Sequence, residues 1–313
     1  EGVYVLRLLA TDGLAQSDDF VAVRVGLVCA VEAPQGLTAW LPLDYSGFEE
    51  VAKQESIEVK PDWKAGKVGA ALNAQDQLDA LLVPARENLD IGGSEAGFTV
   101  EFWMNPDSYQ SNGSSRKSIL EWGVGATERG FRIMHEHYRE LWFNFRESNG
   151  ADRWLTSGHD YVSESSGWYH ISLVYERALG EARLYRNGAL THRWDVGDID
   201  VDTAGDLWLG GRPGTEGYYD GGLDEVSLYN RPLTQAELYA IYAAGGDGKC
   251  PLNGNRAPVV YAGEDTGIPG TGTTLTLSGE ALDDGLPTSS TLTTTWSVVF
   301  APAGGGATFT DAG

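Results

Sequence analysis

The chain has 313 residues, 42% of them hydrophobic, which is enough for two or three domains with ordinary cores. Its 45 Asp and Glu outnumber 22 Lys and Arg, for a net charge of -23, and so leave little positive charge to neutralise a phosphate backbone, which excludes a nucleic-acid binder. No run of about 18 apolar residues is present, so no membrane-spanning helix and no membrane insertion are expected. The acidity has two readings: it keeps an extracellular protein soluble, or some of the carboxylates hold calcium, which prefers hard oxygen donors. Counts of 41 Gly, 10 Trp and 14 Tyr suit many short strands joined by tight turns. The chain opens on Glu1 without a Met or a signal peptide and is expected to be a processed or excised piece.

Residues 1–28 read as strand, turn, strand, with Asp12-Gly13 at the turn and Phe20–Val25 alternating after it. A lone hairpin is marginal in water, so this piece needs a partner sheet. Residues 29–250 form the main body. Its first strand, Gly36–Asp44, sets Leu37, Ala39 and Leu41 against Thr38 and Trp40. Trp63–Pro84 follows as a turn and strand material. In Phe98–Pro106, Phe98, Val100, Phe102 and Met104 take one face and Thr99, Glu101 and Trp103 the other. Further strands are expected at Ser118–Trp122, Gly130–His135, Glu140–Arg146, Trp168–Glu176, Ala182–Arg186, Leu190–Asp195 and Asp206–Gly211. Asn187-Gly188 favours a type I′ hairpin. Such regular short strands imply an antiparallel sandwich.

The body closes with a distinctive stretch, Gly217–Gly245. Leu223, Val226, Leu228 and Tyr229 form a strand whose alternation is imperfect. Thr234 then caps a short helix, Glu237 completes a capping box, and Leu233 and Leu238 stand at hydrophobic-staple spacing. Gly245 supplies the left-handed stop. Residues 251–313 change character: Pro251–Pro258 is a linker by composition, and Thr271–Ser278 and Thr291–Phe300 read as strands around an acidic turn at Asp283-Asp284-Gly285.

The segments GLTAWLPLD, AGKVGAAL, GFTVEFWMNP, WYHISLV, LYRNG and Gly222–Ala244 carry a resemblance across residues 33–245. The body resembles the laminin-G-like, concanavalin A-like lectin/glucanase family of jelly-roll sandwiches. That resemblance implies an all-β fold; it does not choose among carbohydrate binders, adhesive modules, spacers and glycosidases. The flanks resemble PKD-type Ig-like domains of bacterial surface proteins, through GVYVLRLLATDG at the head and RAPVVYAGED, LTLSGEALDDGLP and LTTTWSVV at the tail. Each flank is part of a domain, the head its last strands and the tail its first.

Three sets of candidate residues follow. Cys29 and Cys250, the only cysteines, bracket the body; the ends of a jelly roll often lie close, so a disulfide is expected, the alternative being two separate thiols. In the chain-entropy model, closing a loop of about 220 residues contributes at most roughly 5 kcal/mol. In the resembled family a structural calcium joins the loop before the last strand to an acidic residue near an early strand. The matching positions are Asp224 and Asp79, with Asp76 beside them, although QDQLDAL departs from the usual wording there. Finally, Trp122, His135, His137, Tyr138, Trp154, Tyr218 and Tyr219 lie at or near loops and can stack on sugar rings, with Arg129 and Asp220 adding hydrogen bonds; the competing reading is core packing. Asn112-Gly113-Ser114 is a glycosylation sequon.

No E-x-D-x-E run supplies the paired carboxylates a glucanase of this fold needs, so an enzyme is not expected. The leading expectation is an extracellular or cell-surface structural or adhesive repeat unit. Two readings of its split Ig-like domain stay open: the boundaries are cut arbitrarily from a longer repetitive chain, or the next copy completes the domain and builds a head-to-tail filament. The alternative is a carbohydrate-binding module using loop aromatics.

Overall fold

The computed structural model describes residues 2–11, 16–25, 30–58, 61–75, 79–107, 116–124, 129–164, 167–212, 217–250, 259–261 and 280–282. Its strands, in chain order, are β1 (Gly2–Thr11), β2 (Gln16–Val25), β3 (Leu37–Leu41), β4 (Ile57–Glu58), β5 (Trp63–Ala65), β6 (Ala70–Ala74) and β7 (Leu81–Val83). They continue with β8 (Gly97–Pro106), β9 (Arg116–Gly123), β10 (Arg132–Glu136), β11 (Glu140–Arg146), β12 (Asp152–Thr156), β13 (Tyr169–Glu176) and β14 (Glu181–Arg186). The last are β15 (Ala189–Asp195), β16 (Asp206–Leu209), β17 (Gly217–Tyr218), β18 (Gly221–Tyr229), β19 (Val259–Tyr261) and β20 (Glu280–Leu282). One α-helix, α1, spans Gln235–Ala244. Among the described residues no helix is long and apolar enough to cross a membrane.

The chain divides into two units. The first joins Glu1–Leu27 to Asn253–Gly313. In it β1 and β2 form an antiparallel hairpin from Gly2↔Val25 to Thr11↔Gln16, β19 pairs with β20, and β2 lies against β20. Head and tail therefore meet within a single chain, where one of the two sequence readings has the tail completed by another copy. The Asp12-Gly13 turn and the strands expected at 271–278 and 291–300 lie outside the described residues.

The second unit, Val28–Leu252, is a sandwich of two eight-stranded sheets. Sheet I runs β12-β11-β10-β9-β16-β7-β4, with β17 beside β9; sheet II runs β15-β14-β13-β8-β18-β6-β5, with β3 beside β18. Alternation fixes which side chains enter the core. Phe98, Val100, Phe102 and Met104 of β8 are fully buried against Phe131, Phe143, Phe145 and Leu207. The Phe98 ring meets Phe131 at 5.8 Å and Tyr175 at 5.6 Å. Each such side chain contributes about 1.5–3 kcal/mol by burial. Asn187 and Gly188 both have positive φ, 55° and 73°, as the β14–β15 type I′ turn requires.

The imperfect alternation in β18 is a bulge. Its register with β8 shifts between Asp224 and Ser227, and Glu225 sits at φ 57°. The extra residue keeps Leu223, Val226 and Leu228 in the core while Asp224 and Glu225 both serve the outer side. Simple alternation would have set those two carboxylates on opposite faces.

The outer face of sheet II is covered by α1. The Thr234 hydroxyl accepts from the Glu237 amide at 3.3 Å, and the Glu237 carboxylate accepts from the Thr234 amide at 2.8 Å. Arg231 clamps Glu237 at 2.6 Å; this hydrogen bond is the main reason the Glu237 carboxyl falls to about 2. Leu233, Leu238 and Ile241 then bury against Val174, Tyr185 and Tyr229. Beneath the same cover lies a charge network. Lys249 donates to Glu101 at 3.1 Å and to Glu225 at 2.9 Å, Glu101 meets the His170 ring at 2.9 Å, and Trp40 donates to Glu225 at 3.2 Å. Burial alone would push the Glu101 carboxyl up; Lys249 and His170 outweigh it and hold it at about 2.

Candidate functional site

The outer face of sheet I is built differently. Cross-strand register places Trp154, Asn144, Arg132, Glu121 and Trp208 in one row. A second row holds Thr156, Trp142, Met134, Ser118 and Tyr218, and a third Glu140, Glu136 and Arg116. The segment ELWFNFR of β11 explains the pattern: Leu141, Phe143 and Phe145 enter the core, so Glu140, Trp142, Asn144 and Arg146 must face out.

Trp154 is 38% exposed, unusual for so large an apolar side chain. It stands edge-on to Trp142 at 6.0 Å. The Arg116 guanidinium lies 4.7 Å from the Trp154 ring and 5.5 Å from Trp142, and Arg132 lies 5.3 Å from Trp154. Both cations are anchored, Arg132 on Asn144 at 3.1 Å and Arg116 on Glu136 at 3.3 Å. Cation–π contact and these anchors hold the Trp154 ring in place while leaving it accessible. At the β10–β11 turn Tyr138, 57% exposed at φ 68°, stacks on His159 at 4.5 Å, and His137 touches it at 3.9 Å. Four buried polar atoms of the face have no hydrogen-bond partner among the described residues: Trp142 Nε1, Trp208 Nε1, Ser118 Oγ and Glu121 Oε2. The other Glu121 oxygen takes Arg212 at 2.7 Å. A fixed and exposed indole plane such as Trp154 can stack on the apolar face of a sugar ring.

The aromatic residues singled out by sequence divide accordingly. His137, Tyr138, Trp154 and Tyr218 reach the surface of sheet I or its rim. Trp122 does not: it is fully buried, donating to Leu89 O at 3.3 Å. Tyr219 and His135 are fully buried too, their rings 6.1 Å apart. Burial, then the Lys117 charge, pushes His135 down to about 4 and so keeps it neutral. These three occupy core-facing positions, so core packing is the correct reading of them. Arg129 is exposed just before β10 and Asp220 half-buried between β17 and β18. The sequence reading missed Trp142, Arg116 and Arg132. Alternation in ELWFNFR carried the signal for Trp142; Trp154 sits on the edge strand β12, which the short run DRWLT barely announces.

Two of the three calcium candidates, Asp224 and Asp79, lie among the described residues, on different elements. Asp224 is fully buried at the turn before β6, where it accepts from the Lys67 and Val68 amides at 2.7 and 2.8 Å. Asp79 lies beyond the far end of β6 and accepts from the Gln75 amide at 3.1 Å. Asp76 lies outside the described residues. Among the described residues no three His, Cys, Asp or Glu side chains form a metal-holding group. The carboxylate nearest in effect to Asp224 is Glu225, then Asp44; burial first, then these two, raise the Asp224 carboxyl well above its usual range. Cys29 lies outside the described residues. Its neighbours pair with those of Cys250: Ala30 donates to Gly248 O at 3.2 Å, the Cys250 amide to Val31 O at 2.8 Å, and Val31 bridges Lys249.

The family model of the concanavalin A-like lectin/glucanases superfamily, Laminin_G_3, matches residues 78–239, just over half of the chain. The chain belongs to this family. Among solved structures it is similar to the receptor-binding domain of a botulinum neurotoxin C/D mosaic serotype, at 14% identity and TM-score 0.51, over 66% of this chain and 51% of that one. It is similar also to the binding domain of botulinum neurotoxin DC in complex with SialylT, at 11% identity and TM-score 0.51, over 67% and 52%. Domain 4 of AbnA, a GH43 extracellular arabinanase from Geobacillus stearothermophilus, in complex with arabinotriose, matches at 16% identity and TM-score 0.47, over 65% and 96%. The chain spans about half the length of the first neighbours, the binding domains of Paraclostridial Mosquitocidal Protein 1 and of serotype G neurotoxin, at 51% and 50%. At such identities the likeness is one of fold. No curated protein matches the chain.

Proposed function

We propose that the second unit is a carbohydrate-binding module that stacks a sugar on the outer face of sheet I. The observation that carries this is Trp154, exposed yet braced by Arg116 against Trp142. Membership of the concanavalin A-like lectin/glucanases superfamily supports it, and so does Tyr138, exposed at the rim of the same sheet. Glycan-array screening followed by calorimetry on the best ligand tests it. Trp154→Ala should weaken binding about 10- to 100-fold, the usual worth of an aromatic anchor. Retained affinity in that variant refutes the site; silence on the array together with unaltered tryptophan fluorescence under every glycan refutes the function.

The reading places the protein outside the cell, with a disulfide between Cys29 and Cys250 closing the body; the pairing of Ala30 and Val31 with Gly248–Cys250 supports that bridge. Non-reducing peptide mapping checks it. Calcium, if taken up, would use Asp224 with Asp44 in place of Asp79. The first unit serves as an Ig-like spacer that one chain closes on itself, so the purified protein should run as a monomer in sedimentation rather than as a head-to-tail filament.

A further inference from the structure

A second concave site lies at the end of the sandwich where β18 stops and β3 begins. Here Asn230 donates its amide to Gly36 O at 3.0 Å, and the turn from Glu49 to Gln54 closes on itself. Between them lies a shallow, open depression of about 590 Å3 lined by Ala52, Gln54, Arg86, Glu87, Asn88 and Asn230. Five of the six carry hydrogen-bonding side chains and none is aromatic.

The floor is fixed. Buried Glu49 accepts from the amides of Trp40, Val51 and Ala52 and from the Asn88 side chain at 3.1 Å. Asn88 donates also to Thr38 O at 2.9 Å, which spends its donors and leaves Oδ1 to accept. Arg86 is steadied through Nη2 on Glu55 O at 3.2 Å, whereas its Nη1 is buried without a partner among the described residues. A buried N–H left unmade is costly, and an acceptor brought by a ligand would remove that cost.

We infer that this depression binds an uncharged, hydroxyl-rich ligand, the terminal residue of a glycan chain, separately from the Trp154 face. Its volume suits one or two sugar rings. The Gln54 and Asn230 amides can donate and accept at once, as sugar hydroxyls do, and Asn88 adds an acceptor. Arg86 is offset by Glu87 inside the depression, and Glu50 and Glu55 stand in the adjoining turn, so an anion gains little there. With no ring to stack on, selection rests on hydroxyl geometry, and affinity is weak, about millimolar.

Amide NMR titration of the whole chain tests this, using glucose, galactose, arabinose and xylose as neutral probes and glucuronate and sulfate as anionic ones. The expected result is saturable shifts at residues 52–54 and 86–88 with at least one neutral sugar. They persist in Trp154→Ala and weaken roughly tenfold in Gln54→Ala/Asn230→Ala, which strips two exposed side chains. Ala52→Phe, which fills the depression instead, must produce the same loss, so an unstable double variant leaves the test intact. Absence of neutral-sugar shifts, loss of them with Trp154, or binding of the anions alone overturns the inference. Since each site has its own variant, failure of one is distinguishable from failure of the other.

Discussion

The two sheets of the sandwich expose opposite answers to one problem: what to do with the face that does not enter the core. Sheet II hides it. Helix α1 lies over it, and the charges beneath, Glu101, Glu225, Lys249 and His170, are almost wholly buried and bonded to one another. Sheet I leaves its face open at one edge. There Arg116 and Arg132 brace Trp154, which stays in contact with water. A covered face leaves a ligand nothing to reach, whereas an exposed and braced ring offers it a plane to stack on.

The sharpest way to break this comparison is at Lys249. Replacing it with Met leaves Glu101 and Glu225 buried without their counter-charge, which costs about 3–5 kcal/mol. Urea unfolding should show that loss, with glycan affinity at the Trp154 face unchanged in whatever fraction remains folded. A cost below about 1 kcal/mol would mean the network is not the device that closes sheet II.

Acid titration separates two carboxyls of the closed side. Glu101 stands at about 2 when folded against 4.5 otherwise, so its stabilisation is complete above pH 4.5 and is lost as pH falls from there toward 2. Asp224 has the opposite sign. Its folded value is raised above 3.8, so the folded state holds the extra proton and stability falls as pH rises from 3.8 through the folded value. Glu101→Gln should flatten the acid limb of a stability–pH curve, and Asp224→Asn the limb above pH 3.8. If calcium occupies Asp224, adding it will abolish the second slope in the wild type alone.

The open side was the harder to read. β8 announces itself by strict alternation, and the capping box Thr234–Glu237 names its helix outright, since both signals are local. The β18 bulge was visible only as noise in the pattern, because one extra residue reverses facing without changing composition. The Trp154 platform draws on β9, β10, β11 and β12, and no local signal says that Arg116 and Trp154, 38 positions apart, share a face. Trp122 and Tyr219 misled for the converse reason: an aromatic beside a turn has the same composition whether it points in or out.

On the open side, Trp154→Ala is expected to reduce affinity by the 10- to 100-fold given above while costing about 1–2 kcal/mol of stability, because it removes two cation–π contacts and one edge contact from a ring on the edge strand. A larger loss of stability would make Trp154 part of the structure of β12 and weaken its claim as a ligand platform. Calorimetry and urea unfolding on the same preparation decide it.

The smallest effect sharpens the contrast from the covered side. Thr234→Ala removes the oxygen that accepts the Glu237 amide, at a cost of about 1 kcal/mol. Arg231 still holds Glu237, so the helix survives but frays from its first turn. Hydrogen exchange should quicken at Glu237 and Leu238. It should remain slow in β8 and β18, because Leu233, Leu238 and Ile241 keep the cover seated by apolar burial. If exchange spreads into β8, the capping box rather than the buried apolar side chains holds α1 down, and the closure of sheet II rests on a local signal that the sequence states outright.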